Sequence, residues 1–506
     1  MRVRNVLEYL EQARERFGEK VAFADVEGAC TYAELEERAK RIGSALAVIL
    51  EPGKPVPVFM EKGVDAICLF MGIVYAGCFY VLLDTKQPKG RLEQILETLD
   101  AEVLVTSKSY GREREGLCFG KRILELEELE KEEIEEAVLG RIREQALDID
   151  PLYGIFTSGS TGVPKGVVVS HRSVIDFIEC FTDLFGICSE DVIGNQAPWD
   201  FDVSVKDIYS TLKCGATMQI IPKQYFSFPM KLLDFLCERE VTTLIWAVSA
   251  LCIITTLKGF DYKIPKKVNK VMFSGEVMPV KHLNLWRQAL PDALYVNLYG
   301  PTEITCNCTY YIVDRDFQPG EMLPIGQAFP NEKVFLLDEE NGLVTEPGKM
   351  GEICVSGTAL ALGYYHNKEQ TRKAFVQNPL NPWYMELIYR TGDLGSYNDR
   401  MELCFSTRKD FQIKHMGHRI ELGEIESAIE KMEQVNRTCC IYDSKAGKIL
   451  AFYEGAVERR QLQKKLREFL PAFMLPNRYI PVDRLPLTKN GKIDRKRLLQ
   501  EYGMEA

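Results

Sequence analysis

Residues 155–166 read Ile155-Phe156-Thr157-Ser158-Gly159-Ser160-Thr161-Gly162-Val163-Pro164-Lys165-Gly166, and the apolar run Val167-Val168-Val169 follows directly. This stretch contains three glycines, four hydroxyl side chains and one lysine. Glycines let backbone amides close around an anion, hydroxyls add donors, and a lysine adds positive charge. The composition predicts a phosphate-holding loop followed by a strand, although the same residues also suit an ordinary surface loop. The Walker pattern is absent because no Gly-Lys-Ser/Thr closes the stretch.

The size and composition of the chain indicate a globular enzyme. It has 506 residues, 46% hydrophobic and 27% charged, enough for a large core and two to four structural units. Its net charge of -10 argues against nucleic acid or an anionic membrane as the main partner. Fifteen cysteines without paired spacing are typical of reduced thiols, so we expect a cytoplasmic protein.

One uncharged segment, residues 66–83, has the minimum length for a membrane span. Gly72 and Gly77 interrupt it, and Asp65 and Asp84 flank it without a positive cluster. We therefore predict a buried helix that turns into a core strand at 79–83, and no stable membrane insertion. The amino terminus has mixed charge at once, so we expect no signal peptide.

Helical and strand-like patterns alternate through the first four hundred residues. Residues 5–17 have an apolar helical face, and Thr31 with Glu34 forms a capping-box pattern that opens a second helix. Strand-like runs lie between such helices, at 56–60, 79–83 and 103–106. This alternation predicts layered α/β sheets.

Polar residues at the ends of predicted strands are candidates for ligand binding. Asp202 lies among apolar neighbours, where a carboxylate needs a cation, so it is either a partner for a ligand ammonium or a helix N-cap or surface aspartate. The turn at 297–303 combines an amide, an aromatic ring and an acid that suit a base and a hard cation, or is a simple proline turn. Asp393 suits a pair of vicinal hydroxyls, or an Asx turn.

The character of the sequence changes near residues 408–410. Short strands at 412–414, 440–442 and 449–452 alternate with amphipathic helices such as 424–432, which predicts a small α+β domain. Lys492 follows an Asn-Gly turn on an exposed loop, where most lysines are inert.

Taken together and in this order, these stretches resemble the adenylate-forming superfamily, and within it the amino-acid-activating adenylation enzymes. The stand-alone D-alanine–carrier protein ligases and the adenylation domains of nonribosomal peptide synthetases are the most similar members. The matching stretches are 157–166, 201–204, 297–303, 351–365, 389–394, 408–426 and 490–492.

The resemblance implies an α/β plus α+β protein. Residues 1–407 would form a large N-terminal domain of layered α/β sheets with a small β-barrel. Residues 408–506 would form a small mobile C-terminal α+β domain hinged near Asp410. A substrate carboxylate would attack the α-phosphate of Mg-ATP, and the acyl group would then pass to the phosphopantetheine thiol of a carrier protein.

The resemblance also implies residue roles. Lys492 would be catalytic, and Glu303 would hold Mg²⁺. ATP contacts would come from Thr157, Ser158, Gly159, Ser160, Thr161, Gly162, Lys165, Gly275, Glu276, Asn297, Leu298, Tyr299, Gly300, Pro301, Thr302, Asp393, Phe405, Arg408 and Lys492. Amino-acid contacts would come from Asp202, Val203, Lys206, Met272, Ser274, Leu298, Cys306, Asn307 and Lys492.

These roles agree with the physics of the reaction, because two anions must meet at phosphorus and charge compensation dominates. Asp202 favours an α-amino acid over aryl or fatty acids. Lys206, one helical turn further on, could point into the side-chain pocket and favour an acidic or polar substrate, pair with Asp207, or reach solvent. Ser274 stands where D-alanine enzymes carry cysteine, so the amino acid stays open.

Two other functions compete with amino acid activation. One is an acid–coenzyme A ligase of the same superfamily, and the other is a catalytically inactive binding homologue. Only fourteen residues follow Lys492, so we expect the carrier to be a separate protein.

Overall fold

The structure is a computed structural model that describes residues 3–158, 163–318, 321–409, 412–432, 434–443, 446–486 and 493–502. Its α-helices, in chain order, are α1 Leu7–Phe17, α2 Tyr32–Ala47, α3 Val64–Tyr75, α4 Lys89–Leu99, α5 Gly111–Glu115, α6 Leu126–Leu129, α7 Glu136–Gln145, α8 His171–Phe185, α9 Val203–Cys214, α10 Pro229–Glu238, α11 Val248–Thr256, α12 Gly259–Tyr262, α13 Val280–Ala289, α14 Lys368–Ala374, α15 Leu422–Glu430, α16 Arg459–Leu466 and α17 Arg495–Glu501. Short 3₁₀ turns lie at Lys108–Tyr110, Lys223–Ser227, Thr302–Ile304 and Ala472–Met474.

The β-strands, also in chain order, are β1 Val21–Ala24, β2 Ala29–Thr31, β3 Pro55–Phe59, β4 Phe79–Leu83, β5 Val103–Thr106, β6 Arg122–Glu125, β7 Pro151–Thr157, β8 Lys165–Ser170, β9 Val192–Asn195, β10 Thr217–Ile220, β11 Thr243–Ala247, β12 Lys270–Ser274, β13 Leu294–Tyr299, β14 Thr309–Ile312, β15 Gln327–Ala328, β16 Glu332–Leu337, β17 Leu343–Val344, β18 Gly351–Gly357, β19 Gly363–Tyr364, β20 Phe375–Gln377, β21 Leu387–Tyr397, β22 Leu403–Arg408, β23 Gln412–His415, β24 His418–Glu421, β25 Val435–Asp443, β26 Lys448–Gly455 and β27 Arg478–Pro481.

Two elements that local sequence patterns predict are present in the structure. Thr31 Oγ1 accepts from the Glu34 N–H at 3.2 Å and Glu34 accepts from the Thr31 N–H at 2.8 Å, so the capping box that opens α2 is confirmed. The uncharged segment is a buried helix, α3, that turns at Gly77 (φ 72°) into the buried strand β4, as predicted. In the described part of the chain no helix is long and apolar enough to cross a membrane.

Most strands of the first three hundred residues belong to two large sheets in which parallel pairings predominate. One has the strand order β19-β8-β7-β4-β3-β5-β6, and the other has the order β15-β14-β13-β12-β11-β9-β10-β1-β2. Strands β3, β4 and β11 are buried along their whole length, as expected for parallel strands covered on both faces. The predicted layered α/β architecture is confirmed.

A third sheet has the order β17-β16-β18-β21-β20, with β22 paired to β21. We expected a small β-barrel here. Among the described strands no pairing joins the two ends of this sheet, so a closed barrel is not observed.

The described residues after β22 include the hairpin β23–β24 and the sheet β25-β26-β27, with helix α15 packed on β25. This small α+β unit has its own apolar cluster around Ile425, Ile449 and Leu466. A buried ion pair, Arg91–Glu424, joins it to helix α4 of the preceding part of the chain. The boundary between 407 and 408 stays a prediction; Arg408 ends β22, and Asp410 lies outside the described residues.

Candidate active site

A cleft with about 510 Å³ of empty space opens where several parallel strands end. Segments that directly follow the carboxyl ends of β12 and β13 line it, in agreement with the usual place of ligands in open α/β sheets. The predicted site residues that line the cleft are Asp202, Val203, Ser274, Gly275, Gly300, Pro301, Thr302, Cys306, Asn307, Asp393 and Arg408. Residues far apart in sequence therefore meet around one cavity.

Asp202 is buried at the amino end of α9, with 7% of its surface exposed. It has the N-cap position, yet its side chain makes no capping hydrogen bond, and the surface alternative is wrong. Burial raises the pKa of Asp202, while the Thr302 hydroxyl and the charge of Lys206 counteract part of this effect. A buried carboxylate with a raised pKa is poised to gain a cation from a ligand.

Lys206, one turn along α9, is fully buried, so the interpretation that it reaches solvent is wrong. Its Nζ donates to Asn307 Oδ1 at 2.6 Å. Asp207 does not pair with it; one carboxylate oxygen of Asp207 accepts from Asn195 at 2.5 Å. Burial lowers the pKa of Lys206, although nearby acidic groups oppose this effect. Lys206 lies directly behind Asn307, which lines the cleft.

The turn before Asn307 is held in an unusual conformation. Thr305 and Cys306 both have positive φ, 54° and 75°, which non-glycine residues rarely adopt. The Thr305 hydroxyl donates to Ala359 O at 2.7 Å, and the Cys306 thiol donates to Asp202 O at 2.8 Å. The turn thereby fixes Asn307 beside the amino end of α9.

A second group of residues surrounds Asp393 in strand β21, so the Asx-turn alternative is wrong. The Tyr299 hydroxyl donates to Asp393 Oδ2 at 2.6 Å, and Arg408 forms an ion pair with the same carboxylate. The Phe405 ring lies 6.3 Å from that of Tyr299, and Lys414 Nζ lies 5.2 Å from the Tyr299 ring centre. These rings and the acid form a place that suits a nucleoside.

Glu303 is fully buried and already neutralised by cations. Its carboxylate lies 3.1 Å from Lys165 Nζ and 2.8 Å from an Arg419 nitrogen, and it accepts from the Tyr364 hydroxyl at 2.8 Å. Burial would raise the pKa of Glu303, but the charges of Arg419 and Lys165 overcome this and hold the pKa well below its usual value. Lys165 therefore contacts Glu303 in this structure.

Glu303 fits a shared magnesium site better than a protein-only one. No group of three or more acidic, histidine or cysteine ligands occurs in the described part of the chain. Magnesium commonly binds one or two carboxylates together with substrate phosphates, which a single glutamate can satisfy. Arg419 would have to release one oxygen of Glu303 for this.

The hairpin β23–β24 brings three residues into the cleft that the sequence did not single out: Lys414, Gly417 and Arg419. The Gly417 N–H donates to Glu276 at 3.0 Å, and a side chain on Gly417 would lie only 3.2 Å from Ala247 Cβ. The Ser158 hydroxyl donates to Arg419 O at 2.8 Å, so Ser158 contacts the hairpin. The only available signal was that 408–426 is one of the matching stretches.

The remaining predicted site residues either do not line the cleft or lie outside the residues that the structure describes. Met272 and Leu298 belong to the hydrophobic core, and Asn297 donates from Nδ2 to Pro324 O at 2.7 Å. Thr157 has a buried hydroxyl without a partner among the described residues. The glycine-rich turn Gly159, Ser160, Thr161 and Gly162 and the catalytic candidate Lys492 lie outside the described residues.

Comparison with known proteins identifies the class of protein that this fold and cleft define. The family model "AMP-binding enzyme" matches residues 10–365, and "AMP-binding enzyme C-terminal domain" matches residues 424–492. The chain belongs to the AMP-binding enzyme family, that is, to the adenylate-forming superfamily. Its homologues are the adenylation domains of nonribosomal peptide synthetases.

Two curated relatives and one solved structure show the extent of the likeness. The chain is 33% identical to zwittermicin A synthase ZmaJ of Bacillus cereus, covering 96% of this chain and 93% of the relative. It is 31% identical to tyrocidine synthase 1 of Brevibacillus parabrevis, covering 98% of this chain but 45% of the relative. The fold matches the Vibrio cholerae adenylation domain AlmE with a TM-score of 0.85, at 21% identity and coverage of 99% and 98%.

Proposed function

We propose that the chain activates an α-amino acid with ATP, as an aminoacyl-adenylate, and passes it to the phosphopantetheine thiol of a separate carrier protein. Membership of the adenylate-forming ligases supports the use of ATP. The observation that carries the amino-acid assignment is Asp202, a buried carboxylate beside the cleft that forms no ion pair within the described residues. A substrate ammonium supplies the missing cation.

In the first half-reaction an oxygen of the substrate carboxylate attacks the α-phosphorus of ATP. A bond forms between the carboxyl oxygen and the α-phosphorus. The bond between the α-phosphorus and the oxygen that bridges to the β-phosphorus breaks, and pyrophosphate leaves with the electron pair. Lys414 brings positive charge to the cleft, and Arg408 and Arg419 add charge that their ion pairs with Asp393 and Glu303 partly offset. Such charge favours the approach of two anions. The family resemblance assigns a further positive charge, the catalytic one, to Lys492. The step needs no protein acid or base, so charge compensation and positioning suffice.

Magnesium would be held by Glu303 and phosphate oxygens, and when bound it would neutralise charge on the phosphates. Asp393 accepts from the ribose hydroxyls, while Tyr299 and Phe405 flank the nucleoside. Asp393 is already held by Tyr299 and Arg408, so its oxygens are oriented before the nucleotide binds.

In the second half-reaction the carrier thiol attacks the acyl carbon as a thiolate. A C–S bond forms, the C–O bond to AMP breaks, and AMP leaves with the electron pair. The hairpin β23–β24 lies against the cleft through Gly417 and Arg419. We propose that the C-terminal unit moves between the two half-reactions, so that Lys492 serves the first and the thiol is admitted for the second.

Pyrophosphate release over D- and L-amino acids, including D-alanine, tests this function against aryl and fatty acids with coenzyme A. We expect release with one or a few amino acids only, and loss of at least about 100-fold in Lys492→Ala with little change in unfolding temperature. Turnover of aryl or fatty acids alone would favour the acid–coenzyme A ligase. ATP binding without pyrophosphate release from any acid would favour an inactive homologue.

A further inference from the structure

Lys206 is a buried cation whose place in the cleft wall the reaction itself does not explain. Its side chain has no exposed surface, and it forms no ion pair with a carboxylate in the described ranges. Taking an ammonium group out of water is costly unless an anion and hydrogen bonds compensate it. The hydrogen bond to Asn307 Oδ1, the one that Lys206 makes within the described residues, satisfies one of its three donors.

The two nearest acids of the same segment have other roles. Asp207 accepts a hydrogen bond from Asn195 Nδ2 at 2.5 Å and forms no ion pair with Lys206, and burial raises the pKa of Asp207. Asp202 lies at the amino end of α9 and is reserved for the substrate ammonium in the proposed function. Nearby acidic groups thus act on the charge of Lys206 from a distance, but no carboxylate of the described residues forms an ion pair with it.

The contact with Lys206 also fixes which atoms Asn307 offers to a ligand. A lysine ammonium only donates, so the oxygen of the Asn307 amide must face Lys206 and its NH₂ group must face away. Asn307 lines the cleft, and no described residue accepts a hydrogen bond from its Nδ2. This wall of the cleft presents a donor with a positive charge directly behind it.

From this geometry we infer that the substrate is an amino acid with an acidic side chain, whose carboxylate accepts from Asn307 Nδ2 and compensates Lys206. The inference rests on the proposed function, since it takes the α-ammonium to pair with Asp202. The charges of Asp202 and Lys206 then match two opposite charges of one substrate. A basic side chain would be repelled by the like charge of Lys206. An apolar side chain would leave Asn307 Nδ2 without an acceptor and the charge of Lys206 without an anion.

Matched acid and amide pairs test the inference on the unchanged protein. Pyrophosphate exchange is measured with aspartate and asparagine, and with glutamate and glutamine, in both chiralities, with leucine as an apolar reference. We expect one acid to exceed its own amide by about 100-fold in kcat/KM, because only the carboxylate compensates the buried ammonium. A preference for an amide, an apolar or a basic amino acid would overturn the inference and leave the proposed function intact. Exchange with no amino acid would overturn the proposed function as well.

Lys206→Met, which keeps the length of the side chain without its charge, gives a second readout. We expect the acid-to-amide ratio to fall to about 5-fold or less, mainly through a higher KM for the acid. Lys213→Met is the matched control: it lies on the same helix but pairs with Glu179 and Asp183, and it should keep the wild-type ratio. An unchanged ratio in folded Lys206→Met would overturn the inference. If that variant does not fold, the acid and amide pairs on the wild-type protein decide the question alone.

Discussion

Asp202 and Glu303 are two buried carboxylates beside the same cleft, and their surroundings differ in one respect. Glu303 has Lys165 and Arg419 within ion-pair distance, and their charges hold its pKa below the usual range despite burial. Asp202 has no ion-pair partner in the part of the chain that the structure describes, and burial raises its pKa. The same chemical group is therefore saturated in one place and unsatisfied a short distance away.

This difference separates a carboxylate whose charge the free protein already compensates from a carboxylate that has no ion-pair partner among the described residues. An ion pair that the protein completes by itself contributes to stability, or at least costs little while it is intact. A buried charge without a partner costs stability in the free protein, and such a cost is typical of functional sites. By this criterion the amino-acid end of the cleft, at Asp202 and Lys206, is the incomplete one.

The largest expected effect comes from removing the charge of Asp202. We expect Asp202→Asn to lower kcat/KM for the best amino acid by about 10²–10³-fold, because the substrate ammonium would lose its only buried counter-charge. ATP affinity should change little. The measurement is pyrophosphate exchange together with nucleotide binding by calorimetry.

Asp200→Asn is the matched control for that variant. Asp200 lies two residues away, and its carboxylate accepts from Gln87 at 2.7 Å, so the control should keep nearly full activity. Activity of Asp202→Asn within about 3-fold of the wild type would show that the ammonium binds elsewhere.

Glu303→Gln should have the next largest effect, on stability. The variant leaves the partly buried cations Lys165 and Arg419 without their anion, and loss of one partner of a buried pair typically costs about 3–5 kcal/mol. We expect a clearly lower thermal unfolding midpoint for Glu303→Gln and an equal or higher one for Asp202→Asn. Glu332→Gln is the control, because burial raises the pKa of Glu332 to about 8 and its loss removes no ion pair among the described residues. Equal destabilisation by all three variants would remove the distinction between the two carboxylates.

The parts of the structure that the sequence predicts well are those set by neighbours in the chain. The capping box at Thr31 and the turn at Gly77 depend on residues a few positions apart, and strand β5 forms at 103–106 as its apolar run predicts. Asp202 stands out for the same reason, because its apolar neighbours flank it directly. Residues close together in the sequence are enough to predict each of these features.

The parts that could not be predicted depend on contacts between distant segments. The two cations that pair with Glu303, Lys165 and Arg419, are 138 and 116 positions away from it in the sequence. Arg419 of the hairpin and Ser158, which share a hydrogen bond, are 261 positions apart. A turn sequence such as 297–303 shows that an acid is present, but not which cations fold against it. Lys206 had three open interpretations for this reason, and only tertiary structure removed two of them.

The smallest expected effect is a difference in how stability depends on pH. The folded-state pKa of Asp202 lies above its unfolded value, so its contribution to stability is present at low pH and is lost as pH rises through the folded-state pKa. Asp202→Asn lacks this titration, so its unfolding midpoint should rise relative to the wild type as the pH increases above the unfolded-state pKa of an aspartate, about 4. The opposite sign holds for Glu303, whose pKa is lowered: its contribution is present above the unfolded pKa and is lost on acidification, so the deficit of Glu303→Gln should shrink below about pH 4. Scanning calorimetry of the three proteins across this range checks both signs. Parallel pH profiles would mean that the two carboxylates share one environment, because only a difference in their partners makes the curves diverge.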